Sequence, residues 1–225
     1  MKYILNIHTS SETAIVNVCD ERKVLTTKTN NEQKQHAAFL HSAIRQILLD
    51  NDIKANELKA IGVTGGPGSY TGIRVGMATA KGLCYALKIP LLLFNTLEVM
   101  ALSAIGNIGD KKAFYCPMID ARRQEVFTGM YNYELDEISP PSSMILNENS
   151  FNTLLQETPV YFFGSGSGKF KLLAKNTAQM FFIDELDITS QALCNFSLAK
   201  FQNTDSENLS QAHPLYIKNF YLAKN

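Results

Sequence analysis

The order of hydrophobic and polar positions in the first half of the chain predicts alternating strands and helices. Three β-rich runs come first, at Tyr3–Ile7, Ala14–Val18 and Lys23–Thr29. The polar segment NNEQKQH then opens a helix in which Leu40 and Ile44 lie at helical spacing. The remaining elements are a buried strand at Lys59–Gly65, a helix from about Thr71 to Leu87, a strand in PLLLFNT and a helix in LEVMALSAI.

The second half repeats this order of elements with little similarity in sequence. Its elements are strands at Ala113–Asp120, in QEVFTGMYNYEL and around SSMIL, a helix in FNTLLQE, a strand in VYFFGSGS, a helix in FKLLAKN, a strand in MFFIDEL and a helix in SQALCNFSLAKFQ. In both halves the fourth strand is apolar and ends in a glycine turn. The shared order indicates a duplicated unit.

Each half is therefore predicted as β-β-β-α-β-α-β-α, an α/β unit with a mixed five-stranded sheet and helices on both faces. That arrangement is typical of the ribonuclease-H-like fold, and two such domains in tandem form the actin-like ATPase architecture. The segment GNIGDKK has the composition of a linker. We assign residues 1–108 to a first domain carrying the partner helices and residues 109–204 to a smaller second domain. The tail, about 205–225, is expected to pack back on the first domain.

Composition narrows the classes of function. Among 225 residues, Lys+Arg and Asp+Glu are equal at 21 each, so the chain has no basic field that could hold a nucleic-acid backbone by charge alone. The four cysteines are scattered and read as buried small side chains in a reducing compartment. The N-terminus reads as a strand rather than a signal peptide, and no apolar run could cross a membrane. We expect a cytoplasmic protein.

The stretch GVTGGPGSYTGIRVG joins the fourth strand to the second helix and resembles a phosphate-binding turn. Glycine N–H groups ahead of a helix can bind an anion, which would place Gly66, Gly68 and Ser69 near a nucleotide. The P-loop lysine is missing, however, and the glycines are out of register for a dinucleotide fingerprint. Ser69 or Thr71 can instead cap the helix that follows.

That helix carries small side chains along one face. Gly72, Gly76, Ala80 and Cys84 recur every four residues, with Ile73 and Met77 beside them. Because mid-helix glycine costs about 1 kcal/mol relative to alanine, two on one face indicate that another backbone approaches closely. A helix-packing or partner surface is favoured over direct contact with phosphate.

Two further clusters of polar residues leave alternatives open. Asp120, Arg122, Arg123 and Glu125 crowd one hairpin, which is either a charge-paired turn or an edge facing a nucleotide or a partner, since Arg binds carboxylate or phosphate bidentately. Lys169 follows the second glycine turn, GSGSGKF, which is either a flexible turn or a contact to phosphate.

The usual catalytic and metal-binding patterns are not met. His36 and His41 are five residues apart and so lie on different helix faces, which excludes them as a metal pair. Ser69 lies in G-x-S-x-T rather than G-x-S-x-G, and the H-E-x-x-H helix of zinc proteases is absent from the sequence. We predict no metal site and no required cofactor.

Four stretches resemble the TsaB (YeaZ) family of tRNA threonylcarbamoyladenosine biosynthesis proteins, long labelled glycoproteases. They are GGPGSYTGIRVGMATAKGL, MIDARRQEVFTGMY, VYFFGSGSGKF and HPLYIKNF. The opening YILNIHTSSETAIVNV is similar to the first strand pair of that family. Together these stretches run from residue 3 to residue 220, nearly the whole chain.

The resemblance implies a non-catalytic partner of the transferase TsaD, which acts with the ATPase TsaE to modify the adenosine next to the anticodon. It also implies a homodimer formed through helices of the first domain, contact with tRNA only within the complex, and ATP or ADP at most at the junction with partners. The implied interface residues are His36, Leu40, Ile44, Gly72, Ile73, Gly76, Met77, Ala80 and Cys84.

Two departures from related sequences bear on catalysis. His8 stands where relatives that bind a nucleotide and a metal end their first strand in Asp, and imidazole is a poor Mg²⁺ ligand. Thr96 and Met100 stand where TsaD carries its His-x-x-x-His metal pair. A scaffold or activator subunit is therefore our first hypothesis. The alternative is a free-standing actin-like enzyme, an ATPase, kinase or glycoprotease-type peptidase.

Overall fold

In the computed structural model the chain is described for residues 3–151, 158–175 and 178–217. The strands are β1 Tyr3–His8, β2 Ala14–Cys19, β3 Val24–Asn30, β4 Leu58–Thr64, β5 Leu91–Phe94, β6 Phe114–Asp120, β7 Glu125–Tyr131, β8 Glu137–Ile145, β9 Val160–Phe163 and β10 Met180–Ile183. The α-helices are α1 His36–Asp50, α2 Tyr70–Leu87, α3 Thr96–Ile108, α4 Ser167–Lys171 and α5 Ser190–Gln202.

The first half forms a five-stranded mixed sheet in the order β3-β2-β1-β4-β5. The first three strands are antiparallel, and β4 and β5 continue the sheet in parallel with β1. All six residues of β2 are buried because helices cover both faces of the sheet, which explains their nearly continuous apolar sequence. β3 is more polar because it lies at the edge of the sheet.

The second half forms the matching sheet, β10-β9-β6-β7-β8. The predicted fold class is confirmed, since each half has a mixed five-stranded sheet of the same strand order. β8 is longer than predicted and contains Pro140 and Pro141, which an edge strand tolerates because its outer N–H groups need no partner. The helix predicted in FNTLLQE lies mostly outside the described residues.

One helix differs from the prediction made for FKLLAKN. α4 begins earlier, at Ser167, inside the second glycine turn. It starts there because the Ser167 N–H bonds the carbonyl of Gly164 and the Lys169 N–H bonds that of Gly166. The glycines that suggested a flexible turn are thus the start of a short helix.

Helices α3 and α5 lie between the two sheets and join the halves. α1 and α2 cover the outer face of the first sheet. α3 belongs to the first half in sequence but packs on β6 and β7, whereas α5 follows the second sheet and packs on β1 and β2. One hydrophobic core therefore includes residues of both sheets and of α5, among them Ile4, Phe94, Tyr115 and Leu193.

Polar contacts also cross the junction between the halves. The Asn17 side chain donates to the carbonyl oxygen of Ser190 at 3.1 Å, and the Thr27 hydroxyl donates to the hydroxyl oxygen of Ser190 at 2.9 Å. The Thr189 N–H donates to Ser103 Oγ at 3.0 Å. Hydrogen bonds of this kind fix the register of α5 on the first sheet.

The chain after α5 returns to the first half. The Glu207 N–H bonds the carbonyl of Leu91 on the edge strand β5, and the Leu215 N–H bonds that of Gly65. Between them Lys81 of α2 donates to the carbonyl of Ala212 at 2.9 Å. The segment 205–217 thus covers the free edge of the first sheet. None of the helices within the described ranges is long and apolar enough to span a membrane.

Candidate functional site

A cleft of about 1460 Å³ opens between the two halves. It lies where four strands end at their carboxyl termini: β1 at His8, β4 at Thr64, β6 at Asp120 and β9 at Phe163. This is the edge of α/β sheets at which ligands commonly bind. The duplicated topology therefore brings the β1–β2 turn, the start of α2, the β6–β7 hairpin and the second glycine turn to one place.

Charged side chains of both signs line the cleft in near balance. The basic ones are Lys34, Arg122, Arg123 and Lys169, and the acidic ones are Glu12, Asp120, Asp184, Glu185 and Asp187. Hydroxyl groups of Ser10, Ser11, Thr13, Ser69 and Thr71 lie between them. The balance of charges does not favour a bare polyanion, and suits a ligand or protein segment that presents both charges and hydrogen-bond donors.

His8 lies at the end of β1 beneath this cleft and is fully buried. Its Nε2 is 2.7 Å from the hydroxyl of Ser11, which donates in turn to the carbonyl of Thr13 at 3.0 Å. Since a hydroxyl has one proton, Ser11 accepts from the Nε2–H of His8. Nδ1 is then an acceptor, and the Thr64 hydroxyl lies 3.0 Å from it.

The protonation of His8 follows from its burial. The pKa of His8 is lowered to about 4, chiefly by burial; the charge of Asp187 opposes this shift and the nearby His36 adds to it. His8 is therefore neutral at neutral pH. The Ser11 proton points away from the imidazole, and an imidazole of such low pKa is a weak general base, so the pair is not arranged as a nucleophile with its base.

The two other departures lie next to His8. Thr96 is fully buried and its hydroxyl lies 2.9 Å from that of Ser10, while Met100 lines the cleft one helical turn further along α3. Ser10 also donates to Thr64 at 3.2 Å. Hydroxyl groups thus form a continuous hydrogen-bonded chain to His8. Across the described residues no three His, Cys, Asp or Glu side chains are placed to hold a metal ion together.

The first glycine turn is packed against the chain itself. Ser69 caps α2 by accepting from the Gly72 N–H at 3.3 Å, as predicted. Gly68 lines the cleft, and a Cβ there would lie 2.1 Å from the carbonyl oxygen of Ser10. Gly66 does not line the cleft: it is buried beside the carbonyl of Leu215 in the returning tail.

The β6–β7 hairpin presents two arginines in an unfavourable backbone conformation. Arg122 and Arg123 have φ of 68° and 50°, the left-handed region that normally favours glycine or asparagine. The hairpin is braced from below, because Asp120 Oδ1 accepts from the Arg122 N–H at 2.6 Å and from Lys169 Nζ at 2.7 Å. Lys169 Nζ also lies 3.2 Å from the carbonyl of Glu125. Both arginine side chains are exposed in the cleft.

Lys169 is therefore committed to the hairpin rather than free for a ligand. Its ammonium pairs with Asp120 and so ties α4 to the end of β6. Of the residues predicted to face a nucleotide or partner, Gly68, Ser69, Asp120, Arg122, Arg123 and Lys169 line the cleft, whereas Gly66 and Glu125 do not. That any of them contacts a ligand or partner stays a prediction.

The stripe of small residues on α2 faces the chain's own first sheet. A Cβ at Gly72 would lie 1.9 Å from the carbonyl oxygen of Thr9, and one at Gly76 would lie 2.4 Å from the Thr9 hydroxyl. The structure has the close approach that the glycines predicted, but the neighbour is the chain's own β1 and the β1–β2 turn rather than a second protein. A larger side chain at Gly76, such as leucine, would therefore disrupt the core of the chain itself.

The other residues assigned to the interface are also buried in the folded chain, which corrects their assignment. His36, Leu40, Ile44, Gly72, Ile73, Gly76, Met77, Ala80 and Cys84 all lie inside. His36 donates Nε2–H to the carbonyl of Glu12 at 3.0 Å and so fixes the β1–β2 turn against α1. That α1 and α2 form an interface stays a prediction, and it would have to use their outward side chains.

The outward surface of these two helices is also rich in small side chains. On α2 the exposed residues include Ala78, Gly82, Tyr85 and Ala86, and on α1 they include Ala38, Ser42, Arg45 and Leu49. A Cβ at Gly82 would meet nothing within 4 Å, and Tyr85 is 81% exposed. We refer to these eight residues as the α1–α2 outer surface.

Three parts of the cleft were not found by reasoning from the sequence. They are the hydroxyls of the β1–β2 turn, the acidic loop at Asp184–Asp187 and the hydrogen-bonded chain that ends at His8. The first carried a usable signal, because the polar run HTSSET directly follows an apolar strand. The acidic loop carried none, since exposed acidic loops are common.

Comparison with known proteins assigns the fold and the family. Residues 23–145 match a family model described as TsaD, tRNA N6-adenosine threonylcarbamoyltransferase. A Bacillus subtilis protein named tRNA threonylcarbamoyladenosine biosynthesis protein TsaB is 32% identical over 176 residues, 77% of this chain and 75% of the relative. The chain belongs to the TsaB family. A TsaB of Buchnera aphidicola subsp. Schizaphis graminum is 30% identical over 57% of the chain and 60% of its own length.

The similarity to the transferase is shorter. The tRNA N6-adenosine threonylcarbamoyltransferase of Rickettsia canadensis is 32% identical over 46% of this TsaB-family chain, which spans only 35% of that protein. Among solved structures, YeaZ from Pseudomonas aeruginosa superposes with a TM-score of 0.83 at 22% identity, covering 96% of this chain and all of that one. At that identity the superposition shows the fold alone.

Proposed function

We propose that this protein acts in the biosynthesis of threonylcarbamoyladenosine in tRNA as a non-catalytic partner of the TsaD transferase. The observation that carries the proposal is the match to a TsaB relative over most of both chains, in contrast to the partial match to the transferase. The protein would hold the transferase in its active arrangement, and the TsaE ATPase would act on that complex. Contact with tRNA would come only through the complex.

The chemistry of the cleft supports the proposal that this chain does not itself catalyse a reaction. The positions that relatives use for a metal-binding carboxylate and two imidazoles hold a neutral histidine, a hydroxyl and a thioether, at His8, Thr96 and Met100. Ser11 gives its proton to a backbone carbonyl rather than to His8. A purified preparation should therefore turn over ATP far more slowly than about 1 per second, the lower range of ordinary enzymes.

The α1–α2 outer surface is the proposed docking site for the transferase and, in its absence, for a second copy of the chain. Small side chains at Ala78, Gly82 and Ala86 let a second helix approach closely, and Tyr85 and Leu49 provide exposed apolar area. The cleft beside it would face the ATPase, with Arg122 and Arg123 placed to grip carboxylates or a phosphate of ATP or ADP at the junction.

The proposal is tested by reconstitution of tRNA modification. A tRNA that reads codons beginning with A would be incubated with threonylcarbamoyl-adenylate, the transferase and the ATPase, with this chain omitted and then restored. We expect modified nucleoside only when the chain is present. Full modification without it would contradict the proposed function.

The docking site is tested with two matched helix glycines. Gly82 on α2 and Gly106 on α3 are both exposed, and a Cβ at either meets nothing within 4 Å. Gly82→Arg should lower the affinity for the transferase at least about tenfold, since a bulky charge would prevent close helix approach. Gly106→Arg should bind as wild type. Equal binding of both variants would place the interface elsewhere, without affecting the reconstitution result.

A further inference from the structure

An arginine lies between two tyrosines on the protein surface, where the returning tail crosses the start of α2. The Arg74 guanidinium carbon is 3.9 Å from the centre of the Tyr70 ring, one helical turn earlier. The Arg74 Nε–H donates to the hydroxyl of Tyr216 in the tail at 3.1 Å, and the centres of the two tyrosine rings are 5.6 Å apart. We refer to Tyr70, Arg74 and Tyr216 as the Arg74 cluster.

The cluster is held in place by the fold beneath it. The residue before each tyrosine is fixed: Ser69 caps α2, and the Leu215 N–H donates to the carbonyl of Gly65 at 2.7 Å. Tyrosine has few rotatable bonds, and the Arg74 guanidinium is stacked on one ring and hydrogen-bonded to the other residue. Little side-chain entropy is therefore lost when a ligand binds this arginine.

The cluster is nevertheless open to solvent. Tyr70 is 38% exposed, Tyr216 is 41% exposed, and Arg74 is exposed with them. Among the residues that the structure describes, no carboxylate pairs with Arg74, and its hydrogen bond is the one from Nε to Tyr216. The outer nitrogens of the guanidinium, Nη1 and Nη2, are the pair that binds a carboxylate bidentately.

Arg74 lies on the same helix face as the α1–α2 outer surface. Ala78 and Gly82 follow it at intervals of four residues, and all three are exposed. At the other end of this face, Tyr70 lines the cleft. A partner helix laid along this face of α2 would therefore reach the Arg74 cluster.

The charges of α1 and α2 indicate the chemistry of that partner. α2 contains no Asp or Glu, and α1 contains only Asp50, which pairs with Lys28 at 3.0 Å. Arg45 and Arg74 are exposed on the same two helices. In a two-fold dimer each copy would present this surface to the other, so cation would face cation. A partner with acidic side chains matches the surface better than a second copy does.

We propose that the Arg74 cluster binds a carboxylate of the TsaD transferase, and that Tyr216 of the tail is the residue that positions the arginine. The inference rests on the proposed function and adds the chemical group that is bound at this point. An Asp or Glu side chain of the transferase binds Nη1 and Nη2, while the two tyrosines hold the guanidinium and shield it from water. The tail thereby contributes to partner binding as well as to the first sheet.

The test measures the affinity of variants of the whole chain for the transferase by titration calorimetry. Arg74→Gln should weaken binding at least about tenfold, and Arg74→Lys should recover little of that loss, since lysine keeps the charge but not the bidentate geometry or the stacking. Thermal unfolding of both should stay within about 2 °C of wild type, as for other surface changes.

The matched control is Arg22→Gln. Arg22 is exposed on the turn between β2 and β3, at the end of β2 opposite to the cleft, and its loss changes the net charge equally. It should bind the transferase as wild type does. Wild-type affinity in Arg74→Gln, full recovery in Arg74→Lys, or an equal loss in Arg22→Gln would each overturn the proposal.

The role of Tyr216 is tested by a double-mutant cycle. Tyr216→Ala should weaken binding several-fold. The double variant, Arg74→Gln with Tyr216→Ala, should lose no more affinity than Arg74→Gln alone, because Tyr216 acts through the arginine. Additive losses would show that Tyr216 contacts the transferase by itself, and would contradict its positioning role.

Chemical coupling identifies the bound group. With Arg74→Lys and the transferase at saturating concentrations, a zero-length carbodiimide should join the new amine to an acidic side chain of the transferase, and mass spectrometry locates the pair. Coupling to a second copy of the chain, or none at this position, would overturn the assignment. If the wild type did not bind the transferase, the proposed function would fail as well; if it bound but Arg74→Gln bound equally, only this inference would fail.

Discussion

The Nε2 atom of His8 lies 2.7 Å from the hydroxyl oxygen of Ser11, and it is the histidine that donates. The direction follows because the Ser11 proton is bound to the carbonyl of Thr13. A second proton on this fully buried imidazole is opposed by its burial, which the charge of Asp187 offsets only in part. The position thus favours one protonation state, and this has a measurable consequence for stability.

We expect the protein to lose stability in mild acid because of His8. Its pKa in the folded state is about 4, below the ordinary value of 6.5, so the unfolded chain binds a proton that the folded chain resists. The contribution is complete above about pH 6.5 and is lost as the pH falls towards 4, by about 3 kcal/mol in all. Thermal or urea unfolding between pH 7 and pH 4 measures it.

His8→Gln should flatten this dependence on pH, whatever its effect on stability at pH 7. The matched control is His41→Gln, because His41 is exposed on α1. An unchanged slope in His8→Gln would show that other groups account for the acid sensitivity.

Two glycines of α2 should respond in opposite ways to alanine. Gly72→Ala would place a methyl group 1.9 Å from the Thr9 carbonyl oxygen, so the free energy of unfolding should fall by about 3 kcal/mol or more. Gly82→Ala meets no neighbour within 4 Å and should raise it by about 0.5–1 kcal/mol through helix propensity. Chemical denaturation of the two variants against wild type measures both. Similar values for the two would contradict the orientation of the helix.

Replacing either hairpin arginine by glycine should keep or raise stability while slowing the reaction that the protein supports. Arg122→Gly and Arg123→Gly each remove a left-handed strain of about 1 kcal/mol, so the free energy of unfolding should stay level or rise. Under the proposed function, both should slow reconstituted tRNA modification because the cleft loses a guanidinium. Lys88, with φ of 56° at the end of α2, lies outside the cleft. Lys88→Gly is therefore the control for strain relief without a change in rate.

The returning tail should contribute to stability through the edge of the first sheet. A chain ending after Ser206 loses the bonds from Glu207 and Leu215 to Leu91 and Gly65, together with the buried Ala212. We expect the free energy of unfolding to fall by about 1–3 kcal/mol, and the exposed edge of β5 to promote association. A chain ending at Ile217 keeps these contacts and is the reference against which the loss is measured. Calorimetry and light scattering distinguish the two.

The spacing of hydrophobic residues along the sequence was enough to predict most of the strands and helices. The helix in SQALCNFSLAKFQ was predicted at the residues where α5 is found, and the structure adds a side-chain cap from Thr189. The helix near Lys169 was misplaced because glycine and serine hide its first turn. β8 was predicted only around SSMIL and begins earlier, because its position at the sheet edge tolerates Pro140 and Pro141.

The site was harder to predict from the sequence, because a small side chain indicates a close neighbour but not which part of which chain that neighbour is. Gly72 and Gly76 carried the correct signal of close approach, but no pattern in the sequence distinguishes a partner from the chain's own Thr9. The role of His36 was missed in the same way. Its distance in sequence from His41 excluded a metal pair, but it did not indicate the hydrogen bond from His36 to the Glu12 carbonyl. Such contacts join residues far apart in sequence, which local periodicity does not encode.

The exchange of α3 and α5 between the sheets has a consequence for synthesis. A ribosome that has made the first hundred residues has produced five strands of one sheet, but the helix that covers its inner face is encoded only at Ser190–Gln202. Until those residues emerge, Ile4, Phe94 and Ala60 have no lasting cover on that side. The nascent chain therefore exposes an apolar sheet face during about half of its translation, and is expected to depend on chaperones until α5 is released.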